Sequence, residues 1–232
     1  MRHLSIVTIC SAAAIALAAC GSDTTSPPAV LEVALTPVGN GNGQAGTVGT
    51  QLVNNLRVLV TRNSLPLAGA SVHWAAAIGN GVIAPGVGTT GDDGIALATW
   101  TLPTASGTLS GTASVDGAEG SPVLLTATAL AGPATSFDLL AGNNQVVAAG
   151  ATASEPLTVK LQDTYGNPVE GTTVTWTVFS GTATLSASSV NTGPGGTASV
   201  EVTAGAVPGA VVIRAIPGVA LPGVDFDLTV TP

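Results

Sequence analysis

An internal repeat constrains this chain of 232 residues more than any other feature of its sequence. The apolar pattern of residues 56–60 returns in residues 157–161, at an offset of 101 positions. Seven residues then recur unchanged at an offset of 102: Pro66, Gly69, Val72, Trp74, Gly94, Ala96 and Gly107 match Pro168, Gly171, Val174, Trp176, Gly196, Ala198 and Gly209. Two copies are fewer than a solenoid needs, so each copy must close a hydrophobic core of its own. The repeat therefore predicts two domains, which we place at residues 29–132 and 133–232.

Each copy has the pattern of a β-sandwich. Short segments rich in Val and Thr are separated by Gly, Pro and Asn turns, which is typical of all-β domains with many strands. In the central segment of the second copy, Val174, Trp176 and Val178 alternate with threonines, so the two sets lie on opposite faces of a strand. No stretch after the amino-terminal segment has helical periodicity. The predicted fold class is therefore all-β.

The charge pattern limits the partners of this protein. Charged residues make up 8% of the chain, and the formal net charge is −8. A chain of negative net charge without a Lys/Arg cluster lacks the basic surface that binds nucleic acids and anionic lipids. We therefore expect no nucleic-acid partner.

The amino terminus has the composition of a secretory signal peptide. Arg2 precedes an apolar stretch that ends in small residues at Ala19. A membrane-spanning anchor helix is the alternative, and it is disfavoured because the apolar run ends abruptly at residues 21–23, GSD. Export therefore explains residues 1–19 better than a transmembrane span does.

Residues 17–20, LAAC, resemble a bacterial lipobox. The resemblance implies cleavage before Cys20 and a diacylglyceryl group on its sulfur, with residues 20–28 as a lipidated tether. Gly21 is not the aspartate of an inner-membrane retention signal, so the resemblance favours delivery to the outer membrane. Because Cys10 leaves with the signal peptide and Cys20 carries lipid, we expect no disulfide in the mature chain.

Three segments of the second copy carry a family resemblance: VKLQD at 159–163, GNPV at 166–169 and VTWTV at 174–178. With the Gly-rich turn and strand at 193–200, they make residues 134–232 similar to bacterial immunoglobulin-like domains of the invasin and intimin type. Residues 30–130 are similar to a lesser degree and depart at residues 63–65, which affects the type of turn. The resemblance implies two tandem Ig-like β-sandwiches used as spacers or adhesive modules on bacterial surfaces, with no catalytic residues.

The tryptophans are the strongest candidates for either core or binding residues. Trp74 and Trp176 alternate with valines on one strand face, so we predict that both belong to the structural core. Trp100 matches Val202 instead of an aromatic residue. If it were exposed, Trp100 would be the best candidate for a binding residue.

Polar candidates for chemistry are few. His73 is the only histidine beyond the signal peptide and is expected to face solvent opposite Trp74. Asp92 and Asp93 could contribute to a calcium site, but the Asp-Gly pair at residues 93–94 is a strong turn signal. Asp163 with Asn167 receives the same interpretation. We therefore predict no catalytic residues and no metal ligands.

A G-x-G-x-x-G pattern at Gly41, Gly43 and Gly46 follows the first predicted strand. A dinucleotide site also needs a helix that begins at the last glycine and an acidic residue about 20 positions later. Neither is present in the sequence. The pattern is therefore interpreted as a loop, and we expect no cofactor.

The sequence as a whole predicts an exported lipoprotein, anchored to the bacterial outer membrane, whose Ig-like modules act as a structural spacer or as an adhesion and interaction module. Its partners would be the membrane, through the lipid anchor, and an extracellular protein or glycan. The alternative is a carbohydrate- or polymer-binding accessory protein, which exposure of Trp100 or Tyr165 would favour. An enzyme is disfavoured because a catalytic cleft needs a cluster of acids or histidines.

Overall fold

The computed structural model describes residues 31–35 and 41–232, with side chains from residue 41 onward. The predicted signal peptide, the predicted lipidation site Cys20 and the predicted tether lie outside the described residues. The described part of the chain forms strands and turns, and contains no apolar helix of membrane-spanning length. The all-β prediction is confirmed.

The described part of domain 1 contains eleven strands: β1 (Leu31–Leu35), β2 (Gln44–Thr47), β3 (Leu56–Arg62), β4 (Leu65–Pro66), β5 (Ser71–Ala76), β6 (Val82–Ala84), β7 (Val87–Thr89), β8 (Ile95–Thr101), β9 (Gly107–Ser114), β10 (Ala118–Glu119) and β11 (Val123–Leu130). One sheet has the order β10-β1-β3-β8-β6, with β4 paired to β3, and the other has the order β2-β11-β9-β5-β7. Because β2 follows β1 but joins the opposite sheet, the amino-terminal part of the domain contributes to both layers.

Domain 2 repeats this arrangement with ten strands: β12 (Ala134–Ala141), β13 (Gln145–Ala148), β14 (Leu157–Asp163), β15 (Thr173–Ser180), β16 (Ala183–Leu185), β17 (Ser189–Asn191), β18 (Thr197–Val200), β19 (Val202–Ala204), β20 (Gly209–Pro217) and β21 (Val224–Thr231). The strands β12-β14-β18 and the pair β16-β19 together match the first sheet of domain 1. They are two separate sheets because the strand equivalent to β8 is interrupted at Glu201 and becomes β18 and β19. The second sheet has the order β13-β21-β20-β15-β17.

Two separate hydrophobic cores hold the sandwiches together. The core of domain 1 lies between its sheets and includes Leu56, Val58 and Val72, all fully buried. The core of domain 2 includes their counterparts, Leu157, Val159 and Val174, which are also fully buried. Every strand pair among the described residues joins strands of the same domain. The structure is therefore two tandem Ig-like β-sandwiches, while the limits 29–132 and 133–232 stay a prediction.

The departure at residues 63–65 changes one turn and leaves the fold intact. In domain 1, Asn63 and Ser64 both have positive φ (53° and 64°) and form a two-residue hairpin loop between β3 and β4. Positive φ at both positions is typical of a type I′ turn, in which asparagine is favoured. The equivalent segment of domain 2 is one residue longer and has positive φ at Gly166 (82°).

Candidate functional site

The three tryptophans are all buried. Trp74 on β5 and Trp176 on β15 are 4% and 1% exposed, and the Trp176 ring packs against Phe226 with ring centroids 5.7 Å apart. Trp100 on β8 is fully buried, and its indole N–H donates a hydrogen bond to the Asn80 carbonyl oxygen (2.8 Å). Trp100 therefore lacks the exposure that its interpretation as a binding residue required, because the inward face of β8 carries it into the core beside Ala96 and Ala98.

The other candidates do not come together. His73 is exposed on β5, between the backbones of Val87 and Ser114. Asp93 accepts a hydrogen bond from the backbone N–H of Ile95 (3.0 Å) and so closes a turn. No group of three or more potential metal ligands occurs among residues 31–35 and 41–232.

Asp163, at the end of β14, organises the most extensive polar cluster of the described chain. Asp163 is 4% exposed, and its carboxylate accepts four hydrogen bonds. Oδ1 accepts from the backbone N–H groups of Tyr165 (2.8 Å) and Asn167 (2.9 Å). Oδ2 accepts from the side-chain amide of Asn167 (2.8 Å) and from the backbone N–H of Gly132 (2.9 Å), in the segment that connects the domains. One carboxylate thus fixes its own turn and ties that turn to the connecting segment.

Asn167 extends this cluster across the two domains. Its side-chain oxygen accepts a hydrogen bond from the backbone N–H of Ser106 (2.8 Å), in the loop between β8 and β9. Its Nδ2 group donates to the carbonyl oxygen of Thr104 (2.8 Å) as well as to Asp163. We call the turn 163–168, the loop 104–106 and Gly132 together the domain joint.

The pKa of Asp163 reflects this environment. Burial raises the pKa, whereas hydrogen bonds from the Asn167 side chain and from the backbones of Gly132, Asn167 and Tyr165 lower it. The hydrogen bonds dominate, so the pKa of Asp163 lies below the ordinary value of 3.8. The carboxylate therefore stays ionised at neutral pH and keeps its four donors.

Tyr165 completes one side of the domain joint. Its ring lies against Gly49 of domain 1, where an added Cβ atom would be 3.5 Å from the tyrosine hydroxyl. Tyr165 nevertheless remains 56% exposed. A groove of about 340 Å³ also lies beside the joint, with Leu130 of domain 1 and Pro168, Val169 and Glu170 of domain 2 in its lining.

A second surface feature lies on the outer face of domain 2. Arg214 on β20 forms a bidentate ion pair with Asp225 on β21, with both N–O distances at 2.7 Å. Its guanidinium also lies 3.8 Å from the centre of the Phe179 ring, which is 60% exposed. The hydrogen bond and charge of Asp225 raise the pKa of Arg214, and Arg214 lowers the pKa of Asp225.

Sequence reasoning missed the role of the Asp163–Asn167 pair, which it interpreted as a turn. The turn is present, but both side chains are buried, Asp163 against the connecting segment and Asn167 against a loop of the other domain. The only signal in the sequence was their absence from the first copy, where Arg62 and Leu65 stand at the equivalent positions.

Comparison with known proteins supports the fold. Residues 136–219 match the family model of the bacterial Ig-like domain (group 1). No curated protein sequence matches this chain.

Three solved structures illustrate the likeness. InvD of Yersinia pseudotuberculosis is 21% identical, with a TM-score of 0.58 over 87% of this chain and 57% of that one. The D0-D1 domain of intimin is 22% identical, with a TM-score of 0.35 over 84% of this chain and 97% of that one. The Escherichia coli adhesin FdeC is 19% identical, with a TM-score of 0.49 over 87% of this chain and 64% of that one. At these identities the likeness is one of fold.

Proposed function

Because residues 136–219 form a group 1 bacterial Ig-like domain, we propose that this chain is an exported lipoprotein anchored to the bacterial outer membrane. In this proposal the two Ig-like modules serve as a structural spacer or as an adhesion and interaction module. The likeness in fold to InvD supports the Ig-like modules of this proposal.

The domain joint is the observation that carries the spacer function. Two sandwiches linked by a free peptide would move independently, since contacts between domains are usually small. Here the short connecting segment is itself hydrogen-bonded at Gly132, and Asn167 bonds to a loop of the other domain. These contacts favour one relative orientation of the two modules, which supports a spacer function.

The membrane anchor rests on the lipobox at residues 17–20. The thioether at Cys20 would be the only covalent attachment for diacylglycerol, and at least two acyl chains give stable anchoring. We expect Cys20→Ser to leave a precursor that is not lipidated. Detergent partitioning tests this, and a mutant with unchanged mobility that still follows the membrane fraction would refute the anchor.

The interaction function is tested with the soluble fragment, residues 21–232. We expect it to bind a protein or glycan on an array of matrix proteins and glycans. A blank array combined with intact anchoring would leave the spacer function and exclude the adhesive one for the ligands displayed.

A carbohydrate- or polymer-binding accessory protein is the second candidate, and the exposure of Tyr165 favours it. An exposed aromatic ring can stack on a sugar ring. Tyr165→Ala should then abolish glycan binding and leave protein binding unchanged. If glycan binding survives Tyr165→Ala, the aromatic ring does not carry the recognition.

We also propose that the protein is not an enzyme. His73 is exposed, and it belongs to no group of three or more potential metal ligands among the described residues. A hydrolase screen of residues 21–232 should give no activity. A turnover that disappears in His73→Ala would contradict this proposal.

A further inference from the structure

The domain joint has two complementary halves, and each half has an equivalent elsewhere in the molecule. Domain 2 supplies the turn with Asp163 and Asn167, whose equivalent in domain 1 is the turn with Arg62 and Leu65. Domain 1 supplies the loop 104–106, whose equivalent in domain 2 is the loop 206–208. Comparing each half with its equivalent shows where a second joint of this kind could form.

The turn of domain 1 lacks the groups that make the joint. Arg62 offers no acceptor for backbone N–H groups, and Leu65 is 69% exposed and has no polar atom in its side chain. The hairpin also has one residue fewer between the two positions. This turn therefore has no means of binding a loop such as 104–106.

The loop of domain 2 ends in the same backbone conformation as its equivalent but lacks the donor. Gly107 and Gly209, which follow the two loops, have nearly identical φ values of 143° and 147°. Ser106 donates its backbone N–H to Asn167, whereas the equivalent residue is Pro208, which has no N–H. A buried amide oxygen placed against Pro208 would lose this hydrogen bond without a substitute.

We infer that the joint is specific to this one pair of domains. The turn 163–168 fits the loop 104–106 of its own chain. Pro208 prevents the loop 206–208, at the far end of domain 2, from binding any turn of the same kind. The inference rests on the spacer function proposed above, whereas its test measures the joint alone, so each can fail without the other. Its consequence is that the loop 206–208, where Val207 is 69% exposed, is not a docking site for another such domain.

The first experiment measures the joint in residues 21–232, a fragment without cysteine. Spin labels are placed at Leu97→Cys and Ser199→Cys, which are exposed and equivalent positions in the two domains. The distance distribution between them is then recorded by pulsed electron paramagnetic resonance. We expect one narrow distance in the parent protein.

Substitutions at residue 106 distinguish the effect of its backbone N–H from the effect of its side chain. Ser106→Ala keeps the backbone N–H and should retain the narrow distance. Ser106→Pro copies the domain 2 loop onto domain 1 and should cause loss of the narrow distance, with a broad distribution instead. Equal widths for both variants would overturn the inference, provided that far-ultraviolet circular dichroism shows both to be folded.

Two asparagine variants guard against misfolding of the proline variant. Asn167→Ala removes the joint from the other side and should also broaden the distribution. Its matched control is Asn143→Ala, because Asn143 accepts hydrogen bonds only within domain 2, from the N–H groups of Asn144 and Asp227. A narrow distance in Asn167→Ala would contradict the inference.

The second experiment tests directly whether Pro208 prevents the loop 206–208 from binding another domain. A further copy of residues 132–232 is fused after Pro232 of the full soluble fragment, and labels are placed at Ser199 in both copies of domain 2. We expect a broad distribution, which Pro208→Ser in the middle domain should narrow. Two results would contradict the inference: a narrow distance distribution with Pro208 in place, or a distribution that stays broad in Pro208→Ser. Either result would show that formation of the joint does not depend on the backbone N–H at this position.

Discussion

Thr90 and Thr192 occupy the same place in the two domains, and each buries its hydroxyl to close the same loop. Thr90 donates to the carbonyl oxygen of Leu67 (2.5 Å) and accepts from the N–H of Ala70 (2.9 Å). Thr192 makes the equivalent bonds 102 positions later, donating to Val169 (2.8 Å) and accepting from Thr172 (3.0 Å). A hydroxyl is needed here because it donates and accepts at once.

Thr192→Val should destabilise domain 2 by about 1–3 kcal/mol, because the N–H of Thr172 and the carbonyl of Val169 lose their partner. Thr192→Ser keeps the hydroxyl and should cost less. Urea denaturation of residues 21–232 measures both variants. A valine variant as stable as the parent protein, or one more stable than the serine variant, would show that the hydroxyl does not matter at this position.

Trp176→Ala should cost about 3–5 kcal/mol, because it empties a site packed against Phe226 in the core of domain 2. Phenylalanine substitutions give a finer test. The indole N–H of Trp176 is buried and has no hydrogen-bond partner among the described residues, whereas that of Trp100 bonds to Asn80. Trp100→Phe should therefore cost about 1 kcal/mol more than Trp176→Phe in denaturant melts. The reverse order would contradict the assigned hydrogen bonding.

Gly196→Ala should be much more harmful than Gly171→Ala. Both glycines have positive φ (71° and 78°), so both substitutions carry about 1–2 kcal/mol of backbone strain. An added Cβ at Gly171 meets nothing within 4 Å, whereas at Gly196 it collides with the backbone oxygen of Leu161. Thermal melts compare the two variants, and similar melting temperatures would show that the turn at Gly196 can move.

Acid should weaken the domain joint through Asp163. Its pKa is lower in the folded protein than the ordinary value, so its contribution is complete above about pH 4. This contribution of Asp163 to stability is lost as the pH falls through its folded pKa. Protonation then removes the negative charge that attracts the four N–H donors. The stability of the parent protein should therefore decline more steeply below about pH 4 than that of Asp163→Asn.

Denaturant melts at a series of pH values measure this difference. Asp225 also has a lowered pKa, but it is present in both proteins and cancels in the comparison. Parallel pH profiles would show that Asp163 does not titrate in this range.

The sequence predicted those parts of the fold that depend on local pattern. Alternation around Trp176 placed its strand and its inward face correctly, because period-two burial is a property of neighbouring residues. Trp100 was open to two interpretations, since its match in the second copy is Val202 and an alternation of alanines does not tell which face is inward.

The domain joint was beyond the same reasoning. Asp163 and Asn167 lie four positions apart and read as an ordinary turn. The partners of Asn167 in domain 1, Thr104 and Ser106, are 63 and 61 residues away from it in the chain. No local pattern encodes such a contact, and the repeat misleads here because the joint is the part that is not repeated.

The parallel pairing of β13 with β21 decides how domain 2 carries mechanical load. One of these strands lies near the beginning of the domain and the other at its end, and they run side by side from the pair Gln145–Leu228 to the pair Ala148–Thr231. Tension applied at the two ends of the domain slides these strands past each other, so their hydrogen bonds bear the force together instead of opening one by one. Strands β2 and β11 give domain 1 the same arrangement. Each sandwich therefore resists pulling along the chain by shear.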